Sequence, residues 1–323
     1  MKSRLASLDL LRAFAICLVL LCHWGQSLGW MQFGVAGGVA NCLFFLLSGF
    51  ALGYSWRQSG YGHLGLRFIR NRFLKLYIPF ALFLFPYMLV LIVDGDISCG
   101  EVILNALMLS WLSKLVGAGH LWFVTGIFIF YSVLLVFSFA ISFKAFRPGV
   151  LIVALLIACG MLQAAISSLH VHQAYYVMLL VSAITAFYLG ARFDSIMAKL
   201  RKYKFSGALL FVLVIAVILS FSPRMDVMGN VLYYWLCMAI AVSLLGITFI
   251  FDVCNGPIVS SLSAISYELY LVHYPFCSNS PLYLRRVFHN DVLYTIAYIG
   301  ISVSFAFLLK TAANRIMMFM GKK

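Results

Sequence analysis

Charged residues are scarce in this 323-residue sequence, in which Asp, Glu, Lys and Arg together make up only 10%. Hydrophobic residues make up 64%, and the mean hydropathy is +1.03. A typical soluble domain has about 25% charged residues, so this composition excludes a soluble globular protein. It predicts instead an all-α polytopic membrane protein whose solvent is largely lipid.

Signals for processing, for repeats and for soluble modules are also lacking. The first apolar run starts at Leu8, contains Arg12 and has no convincing small-residue cleavage site. We therefore interpret it as a retained helix rather than a signal peptide. No internal repeat, low-complexity tract or Gly-rich phosphate loop is present. We expect residues 1–323 to form a single integral-membrane domain with no appended soluble domain.

Apolar segments of bilayer length recur along the chain, since a helix needs about 20 such residues to cross a membrane. The ten predicted spans are residues 8–29, 33–55, 74–93, 121–142, 149–168, 174–192, 206–222, 230–251, 260–279 and 292–313. The fifth is interrupted by Gly160 and Gln163, and the ninth carries Glu268 and His273. The pattern of residues 100–112 predicts a short amphipathic helix that lies at the outer surface.

Acidic residues are few, with 9 Asp and Glu against 23 Lys and Arg, which gives a net charge of +14. The basic residues gather in alternate loops, and such loops stay in the cytoplasm. This pattern predicts that both termini are cytoplasmic, with Arg285 and Arg286 as the one discordant pair. Because topology explains the charge, it is no argument for a nucleic-acid partner.

The eight cysteines show no metal-ligand spacing, and no metal site is predicted. Most are interpreted as packing residues in or beside apolar spans: Cys17, Cys22, Cys42, Cys159, Cys237 and Cys254. Cys99 and Cys277 fall toward the non-cytoplasmic side, where they either stay free or form a disulfide if that side is oxidising.

The first predicted helix carries three ionisable residues, Asp9, Arg12 and His23, on one stripe. An ionisable side chain at bilayer depth costs about 2.5 to 3.5 kcal/mol, so it usually faces a partner or a water-filled cavity. Arg12 and His23 differ by only about 20° in direction and lie about 16 Å apart along the axis. The alternative is structural: Asp9 and Arg12 form an interfacial ion pair, and His23 makes an interhelical hydrogen bond.

A basic cluster, RFIRNRFLK at residues 67–75, lies directly before the third span. It includes Arg70, Arg72 and Lys75, and the last two share a helix face one turn apart. Cations at a cytoplasmic mouth suit a polyanion such as a nucleotide phosphate. Ordinary topology determination explains the same cluster.

Two further spans carry polar residues at helical spacing. SYELYLVHYPF at 266–276 aligns Ser266, Tyr270 and His273 on one stripe. HLWFVTGIFIFY at 120–131 sets His120 and Trp122 at the outer end, with Tyr131 lower down. Interhelical hydrogen bonding and interfacial anchoring are the structural alternatives.

Five sequence blocks together resemble the bacterial acyltransferase-3 family, the integral-membrane acyltransferases that modify cell-surface glycans. The blocks are LDLLRAFAICLVLLCH at 8–23, FFLLSGF at 44–50, RNRFLKLYIP at 70–79, HLWFVTGIFIFY at 120–131 and SYELYLVHYPF at 266–276. They occur in the family's order, so the resemblance spans nearly the whole chain.

The resemblance implies a ten-helix enzyme of the bacterial inner membrane. It would move an acyl group, commonly acetyl, from cytoplasmic acyl-CoA to a hydroxyl of a polysaccharide, another surface glycan or a glycolipid. No permanently bound cofactor is expected. By motif, His23 would be the catalytic histidine and Arg12 its companion, oriented by Asp9. The expected substrate-binding residues are Arg70, Arg72, Lys75, Ser48, His120, Trp122, Tyr131, Tyr270 and His273.

Two positions depart from the family pattern. Lys75 stands where a second arginine is usual, so the charge is kept but the bidentate fork is lost. Ile127 stands where many members have glutamate, which removes any role for that carboxylate. The resemblance leaves open the acyl group, the acceptor, the oligomeric state, and whether His23 acts as a base or forms an acyl-histidine.

The alternative function is that of a transporter or flippase for a polar or lipid-linked substrate, since a polar stripe can also line a translocation path. It predicts substrate movement without consumption of acyl-CoA. The sequence shows no inverted repeat and no paired broken helices, which are the usual signs of such a path. A purely structural or sensory membrane protein would leave the five blocks unexplained.

Overall fold

The computed structural model describes residues 6–58, 66–110, 115–141, 171–194, 202, 231–251 and 256–321. All regular structure in these residues is helical. The helices are α1 (Ala6–Ser27), α2 (Gly34–Gln58), α3 (Leu66–Asp94), α4 (Cys99–Ala106), α5 (Trp122–Ile141), α6 (Val171–Ala191), α7 (Val231–Phe251), α8 (Pro257–Ala264), α9 (Ser266–Val272), α10 (Tyr274–Cys277) and α11 (Asp291–Gly321). Single 3₁₀ turns form at Met31–Phe33, Gly119–Leu121 and Leu284–Arg286.

Five helical segments in the described part of the chain are long and apolar enough to cross a membrane. They are Ala6–Ser27, Met31–Gln58, Arg70–Asp94, Tyr233–Phe251 and Asp291–Met320. Shorter apolar helices cover Gly119–Leu134 and Met178–Ala191. The predicted fifth and seventh spans, 149–168 and 206–222, lie outside the described residues. The count of ten spans and the orientation of the termini stay predictions.

The predicted ninth span, 260–279, is wrong as one continuous helix. The structure divides this segment into the short helices α8, α9 and α10, with breaks at Ile265 and His273. Pro275 lies within the first turn of α10, where it has no N–H to donate to the carbonyl four residues earlier. The apolar periodicity of the sequence gives no sign of this interruption.

The amphipathic segment at 100–112 forms a shorter helix than predicted, since α4 ends at Ala106. Ser98 and Glu101 begin the helix with a capping box, in which each side chain accepts from the other residue's backbone N–H. The hydrogen bond from the Ser98 backbone, followed by that from its hydroxyl, lowers the pKa of the exposed Glu101 carboxyl. Met108 then takes φ +59°, and its carbonyl accepts from the Thr125 hydroxyl at 2.6 Å.

The chain divides into two compact units built from separated segments. The first unit comprises Met1–Val19, Gly34–Leu64 and Val133–Ser263, and the second comprises Leu20–Phe33, Gly65–Ser132 and Ala264–Lys323. Helix α1 therefore contributes its first part to one unit and its last part to the other.

In the first unit, α2 and α6 approach closely because glycines face the partner backbone. A methyl group added at Gly49 would overlap the carbonyl oxygen of Ala183, and one at Gly53 would overlap that of Phe187. Within a membrane the hydrophobic effect does not drive helices together, so they associate through close van der Waals packing, which small residues at the contact allow. Helix α7 joins through the Tyr233 hydroxyl, which donates to the Gly34 carbonyl at 2.9 Å.

The core of the second unit packs the segment after α9 against α11. Phe276, Cys277, Tyr294 and Tyr298 form a buried cluster there. Cys277 is a free thiol within it, and Cys99 is a free thiol at the start of α4. Near this cluster Arg285 pairs with Asp291, so one member of the discordant pair has its charge balanced locally.

We expect Gly53→Ala to lower the free energy of unfolding, because the new methyl group forces α2 away from α6 and overpacking of this kind costs about 1 to 3 kcal/mol. Gly300→Ala is the matched control, since nothing lies within 4 Å of a Cβ added there. It should be neutral or stabilising by about 0.5 to 1 kcal/mol. Thermal unfolding of the purified protein in detergent measures both, and equal effects would contradict the close contact.

Candidate functional site

The last turns of α1 are tied to α11 by two side-chain hydrogen bonds. The Trp24 indole donates to the Thr295 hydroxyl at 2.8 Å, and the Ser27 and Tyr294 hydroxyls lie 2.7 Å apart. These bonds fix the axial position of α1 around His23. His23 itself is partly exposed.

His23 is held in one tautomer by its own helix. Its Nδ1 lies 3.1 Å from the Gln26 side-chain oxygen, one turn further along α1. An amide oxygen only accepts, so Nδ1–H donates and Nε2 carries the lone pair. His23 therefore presents a hydrogen-bond acceptor and proton acceptor at Nε2.

A conformationally constrained loop around Gly117 positions His120, which lies in the 3₁₀ turn before α5. Gly117 takes φ +62°, and a methyl group there would overlap the Tyr87 phenol and the Ser280 side chain. Tyr87 also donates to the Val116 carbonyl at 2.7 Å. Both constraints fix the path of the chain into the 3₁₀ turn at Gly119–Leu121.

The buried His120 ring uses a backbone carbonyl that the interrupted helix leaves available. Because Pro275 has no N–H, the Leu271 carbonyl lacks its usual intrahelical donor. His120 Nε2–H donates to that oxygen at 3.0 Å, and the Tyr270 hydroxyl donates back to the His120 carbonyl at 2.6 Å. His120 Nδ1 is left with the lone pair, and no described residue gives it a hydrogen bond.

His273 repeats the arrangement at the break between α9 and α10. Its Nδ1 lies 2.7 Å from the Tyr270 carbonyl and 3.1 Å from that of Leu269. Nδ1–H therefore donates, and Nε2 carries the lone pair. The residue is 0% exposed, and within the described ranges Nε2 has no hydrogen-bond partner.

These three imidazoles and Tyr274 form a compact group, which we call the histidine cluster. The His273 ring centroid lies 5.4 Å from that of His23 and 5.3 Å from that of His120. Tyr274 touches both neighbours, edge-on to His23 at 4.7 Å and tilted on His120 at 4.8 Å. Each imidazole has one nitrogen engaged by an oxygen and one carrying a lone pair.

The unpartnered nitrogens of the histidine cluster fit a ligand that donates hydrogen bonds. A buried polar atom left without a partner costs about 1 to 3 kcal/mol, and His120 and His273 each carry an atom that has no partner among the described residues. Hydroxyl groups supply the donors that these lone pairs lack. In the part of the chain that the structure describes, no three His, Cys, Asp or Glu side chains are arranged to hold a metal ion.

Residues 5–311 match the family model of the acyltransferase-3 family, described as an acyltransferase domain. The chain belongs to the acyltransferase-3 family. The match covers nearly the whole chain and confirms the resemblance drawn from the five sequence blocks. Family membership supports a membrane acyltransferase activity. No curated protein and no solved structure matches this chain.

The structure of this acyltransferase brings together four of the residues expected at the site, namely His23, His120, Tyr270 and His273. The others occupy separate places. On α3, Arg70 and Lys75 are exposed and Arg72 is partly exposed. Trp122 and Tyr131 are partly exposed on α5. Ser48 is partly exposed on α2, in the first unit.

Asp9 and Arg12 lie in the first unit and face each other. Arg12 Nη1 is 3.5 Å from Asp9 Oδ1, and the same carboxylate oxygen accepts from the Ser263 hydroxyl at 2.9 Å. Asp9 is 3% exposed, so these contacts stabilise a buried carboxylate. The geometry agrees with an orienting role for Asp9 and also with the structural alternative.

Sequence reasoning missed several residues that shape the histidine cluster of the acyltransferase. Gln26 carries a usable signal, because a residue three positions after His23 lies beside it on a helix. Pro275 carries another, since it releases the carbonyl four residues earlier. Tyr274 carries none, because its contacts with His23 and His120 join residues far apart in sequence.

We expect Gly117→Ala to destabilise the acyltransferase, because the left-handed conformation costs a residue with a Cβ about 1 to 2 kcal/mol and the methyl group also overlaps Tyr87. Gly119→Ala is the control two residues away, where a Cβ would make ordinary contacts with Tyr274 at 3.7 Å and beyond. Thermal unfolding compares the two variants. A Gly117→Ala protein as stable as Gly119→Ala would contradict the constrained conformation at Gly117.

Proposed function

We propose that this acyltransferase is an O-acyltransferase of the bacterial inner membrane. It moves an acyl group, with acetyl as the default, from cytoplasmic acyl-CoA to a hydroxyl of an extracytoplasmic glycan or glycolipid. One observation carries the proposal: the lone pair of His23 Nε2 lies in a group with two buried imidazole nitrogens that have no hydrogen-bond partner among the described residues.

His23 acts as the general base in the proposed reaction. The acceptor hydroxyl donates its hydrogen bond to Nε2 and loses its proton to that nitrogen as its oxygen attacks the thioester carbonyl. The C–O bond forms, the C–S bond breaks, and Nε2–H returns the proton to the leaving thiolate of CoA. Gln26 accepts from Nδ1–H throughout, which fixes the tautomer and stabilises the transient imidazolium.

His120 and His273 hold the acceptor in this proposal. Their lone pairs accept hydrogen bonds, and they offer no donor to a phosphate, a thiolate or a carbonyl oxygen. A polyol such as a sugar presents further hydroxyl donors close to the reacting one. The chemistry of the two nitrogens thus favours the acceptor over the donor at this position.

The cations of α3 serve the other substrate. Arg72 and Lys75, with Arg70 beside them, are proposed to bind the phosphates of acyl-CoA, because guanidinium and ammonium groups donate to phosphate oxygens. Arg12 is carried over from the family motif as a companion of His23, oriented by Asp9 at 3.5 Å. No permanently bound cofactor is part of the proposal.

We expect His23→Ala to lower the rate of acyl transfer by about 10²- to 10⁴-fold, because the general base is lost. The assay follows thiol release from acetyl-CoA together with the 42 Da mass gain on surface glycans. The matched control is His289→Ala, since His289 is exposed and lies outside the histidine cluster.

Wild-type transfer by a folded His23→Ala protein would contradict the role of His23. An acetyl group trapped on His23 in the absence of acceptor would replace the general-base step by an acyl-histidine step. Movement of a substrate across the membrane without thiol release would instead support the transporter alternative.

We expect His120→Gln and His273→Asn to impair acceptor use without impairing donor binding. A glutamine amide can donate from the position of Nε2 and an asparagine amide from that of Nδ1, so each variant keeps the observed hydrogen bond to a backbone carbonyl and loses the lone-pair nitrogen. Glycan acetylation in cells should fall by about 10-fold or more for each. Acetyl-CoA binding to the purified proteins should stay at the wild-type value, and a parallel loss of both would contradict the assignment.

A further inference from the structure

Among the polar side-chain atoms of the histidine cluster, two have no hydrogen bond to a described residue and are not completely buried. They are Nε2 of His23 and the hydroxyl oxygen of Tyr274, and both residues are partly exposed. The other two unpartnered atoms, His120 Nδ1 and His273 Nε2, are completely buried. The less buried part of the cluster therefore offers one proton acceptor and one O–H donor.

The ring of Tyr274 holds its hydroxyl close to His23. It meets the His23 ring edge-on, with centroids 4.7 Å apart, and lies tilted on the His120 ring at 4.8 Å. The hydroxyl end of the ring lies beside Gly119, because a Cβ added to Gly119 would be 3.7 Å from the Tyr274 oxygen. Since glycine has no side chain, the space that such a side chain would take beside the hydroxyl stays available.

The proposed reaction requires a hydrogen-bond donor at the thioester. As the acceptor oxygen attacks, negative charge develops on the carbonyl oxygen, and a donor that is already in place stabilises this charge. The three imidazoles do not supply that donor. Each of them uses its N–H in a hydrogen bond to an oxygen of the protein and leaves only a lone pair for a ligand: His23, His120 and His273.

Other side-chain donors beside the histidine cluster are already engaged or lie at the wrong nitrogen. The Tyr270 hydroxyl donates to a backbone carbonyl at 2.6 Å, and the Trp24 indole donates to a hydroxyl on α11 at 2.8 Å. The Gln26 amide lies at Nδ1 of His23, whereas the proposed reaction takes place at Nε2. Of the donors described beside His23, the Tyr274 hydroxyl is thus the one left for the carbonyl oxygen.

We propose that Tyr274 is a catalytic residue whose hydroxyl donates a hydrogen bond to the thioester carbonyl oxygen of the acyl donor. The inference rests on the proposed function, because that function supplies the thioester. His23 Nε2 takes the acceptor's proton while the C–O bond forms, and the Tyr274 O–H stabilises the oxyanion without giving up its own proton. The carbonyl then re-forms, the C–S bond breaks, and His23 Nε2–H protonates the thiolate of CoA.

Tyr274→Phe tests the inference, because it removes the hydroxyl and keeps the ring that contacts His23. We expect kcat for acetyl transfer to fall by about 10²- to 10³-fold, the usual loss for one oxyanion donor. The KM for acetyl-CoA should stay near the wild-type value, because this hydrogen bond strengthens as charge develops in the transition state. Thiol release from acetyl-CoA by membrane vesicles of the producing cells, which carry the cells' own acceptors, measures both constants.

Tyr283→Phe is the matched control. It removes the hydroxyl of a partly exposed tyrosine that lies outside the histidine cluster, so it makes the same chemical change at another position. Its kcat should equal that of the wild type.

Infrared difference spectra of bound acetyl-CoA with an isotope-labelled thioester carbonyl add a readout that a structural role would not change. A hydrogen bond to the carbonyl oxygen weakens the C=O bond and lowers its stretching frequency. The frequency should therefore be higher in Tyr274→Phe than in the wild type, and Tyr283→Phe should match the wild type.

Each other outcome decides against one of the two proposals. Wild-type kcat in Tyr274→Phe would overturn this inference and leave the proposed function intact. A higher KM for the acceptor, with kcat and the carbonyl frequency unchanged, would assign the hydroxyl to acceptor binding and also overturn it. Lower activity with a lower Tm and an unchanged frequency would give Tyr274 a structural role instead. Wild-type protein that releases no thiol from acetyl-CoA would contradict the proposed function itself.

Discussion

The histidine cluster depends on a hydrogen bond that Pro275 cannot make. In a continuous helix the N–H of residue 275 would donate to the Leu271 carbonyl, and His120 would have no acceptor for its Nε2–H. Without that N–H, the Leu271 carbonyl oxygen accepts a hydrogen bond from His120 Nε2–H at 3.0 Å. One missing backbone donor thus interrupts the helix, fixes the tautomer of His120 and leaves its Nδ1 lone pair for a ligand.

The other two imidazoles likewise each have one nitrogen bound to an oxygen atom. In a protein surrounded by lipid, polar atoms must find partners inside the molecule. Gln26 engages one nitrogen of His23, and the Leu269 and Tyr270 carbonyls engage one nitrogen of His273. Against that background, the buried imidazole nitrogens of His120 and His273 that have no partner in the described ranges are among the exceptions, and a bound ligand is one explanation for such atoms.

The sequence predicted the local part of this arrangement well. Hydropathy predicted the five described helices that are long and apolar enough to cross a membrane, and the family motifs contain His23, His120 and His273. The convergence of His120 and His273 could not be predicted from spacing, because their contacts join segments about 150 residues apart, and no helical periodicity reaches that far. The ninth span is not one continuous helix, and hydropathy gave no sign of this because the apolar pattern continues across the breaks at Ile265 and His273.

The Lys310–Glu268 pair shows a further limit of sequence reasoning. In the sequence, Lys310 is one of several positive-inside residues and Glu268 is an isolated charge in an apolar span. Only the packing of α11 on α9 shows that the two side chains are in contact. A rule that counts charges by loop assigns Lys310 to topology, whereas its nearest partner is a side chain in another helix.

Helices α3 and α9 run toward the histidine cluster from Lys75 and Glu268, and the lengths along them bear on the mechanism. On α9, Glu268 precedes His273 by five residues, about 7.5 Å along a helix axis. On α3, Lys75 precedes Phe83 by eight residues, about 12 Å, and the Phe83 ring lies 6.3 Å from that of His120. Both helices run from a charged residue toward the histidine cluster. In the proposed function, the donor's phosphates bind Arg72 and Lys75 and its thioester reaches the histidine cluster. Such a donor would lie along α3 and α9, so the packing of these two helices would position both of its ends.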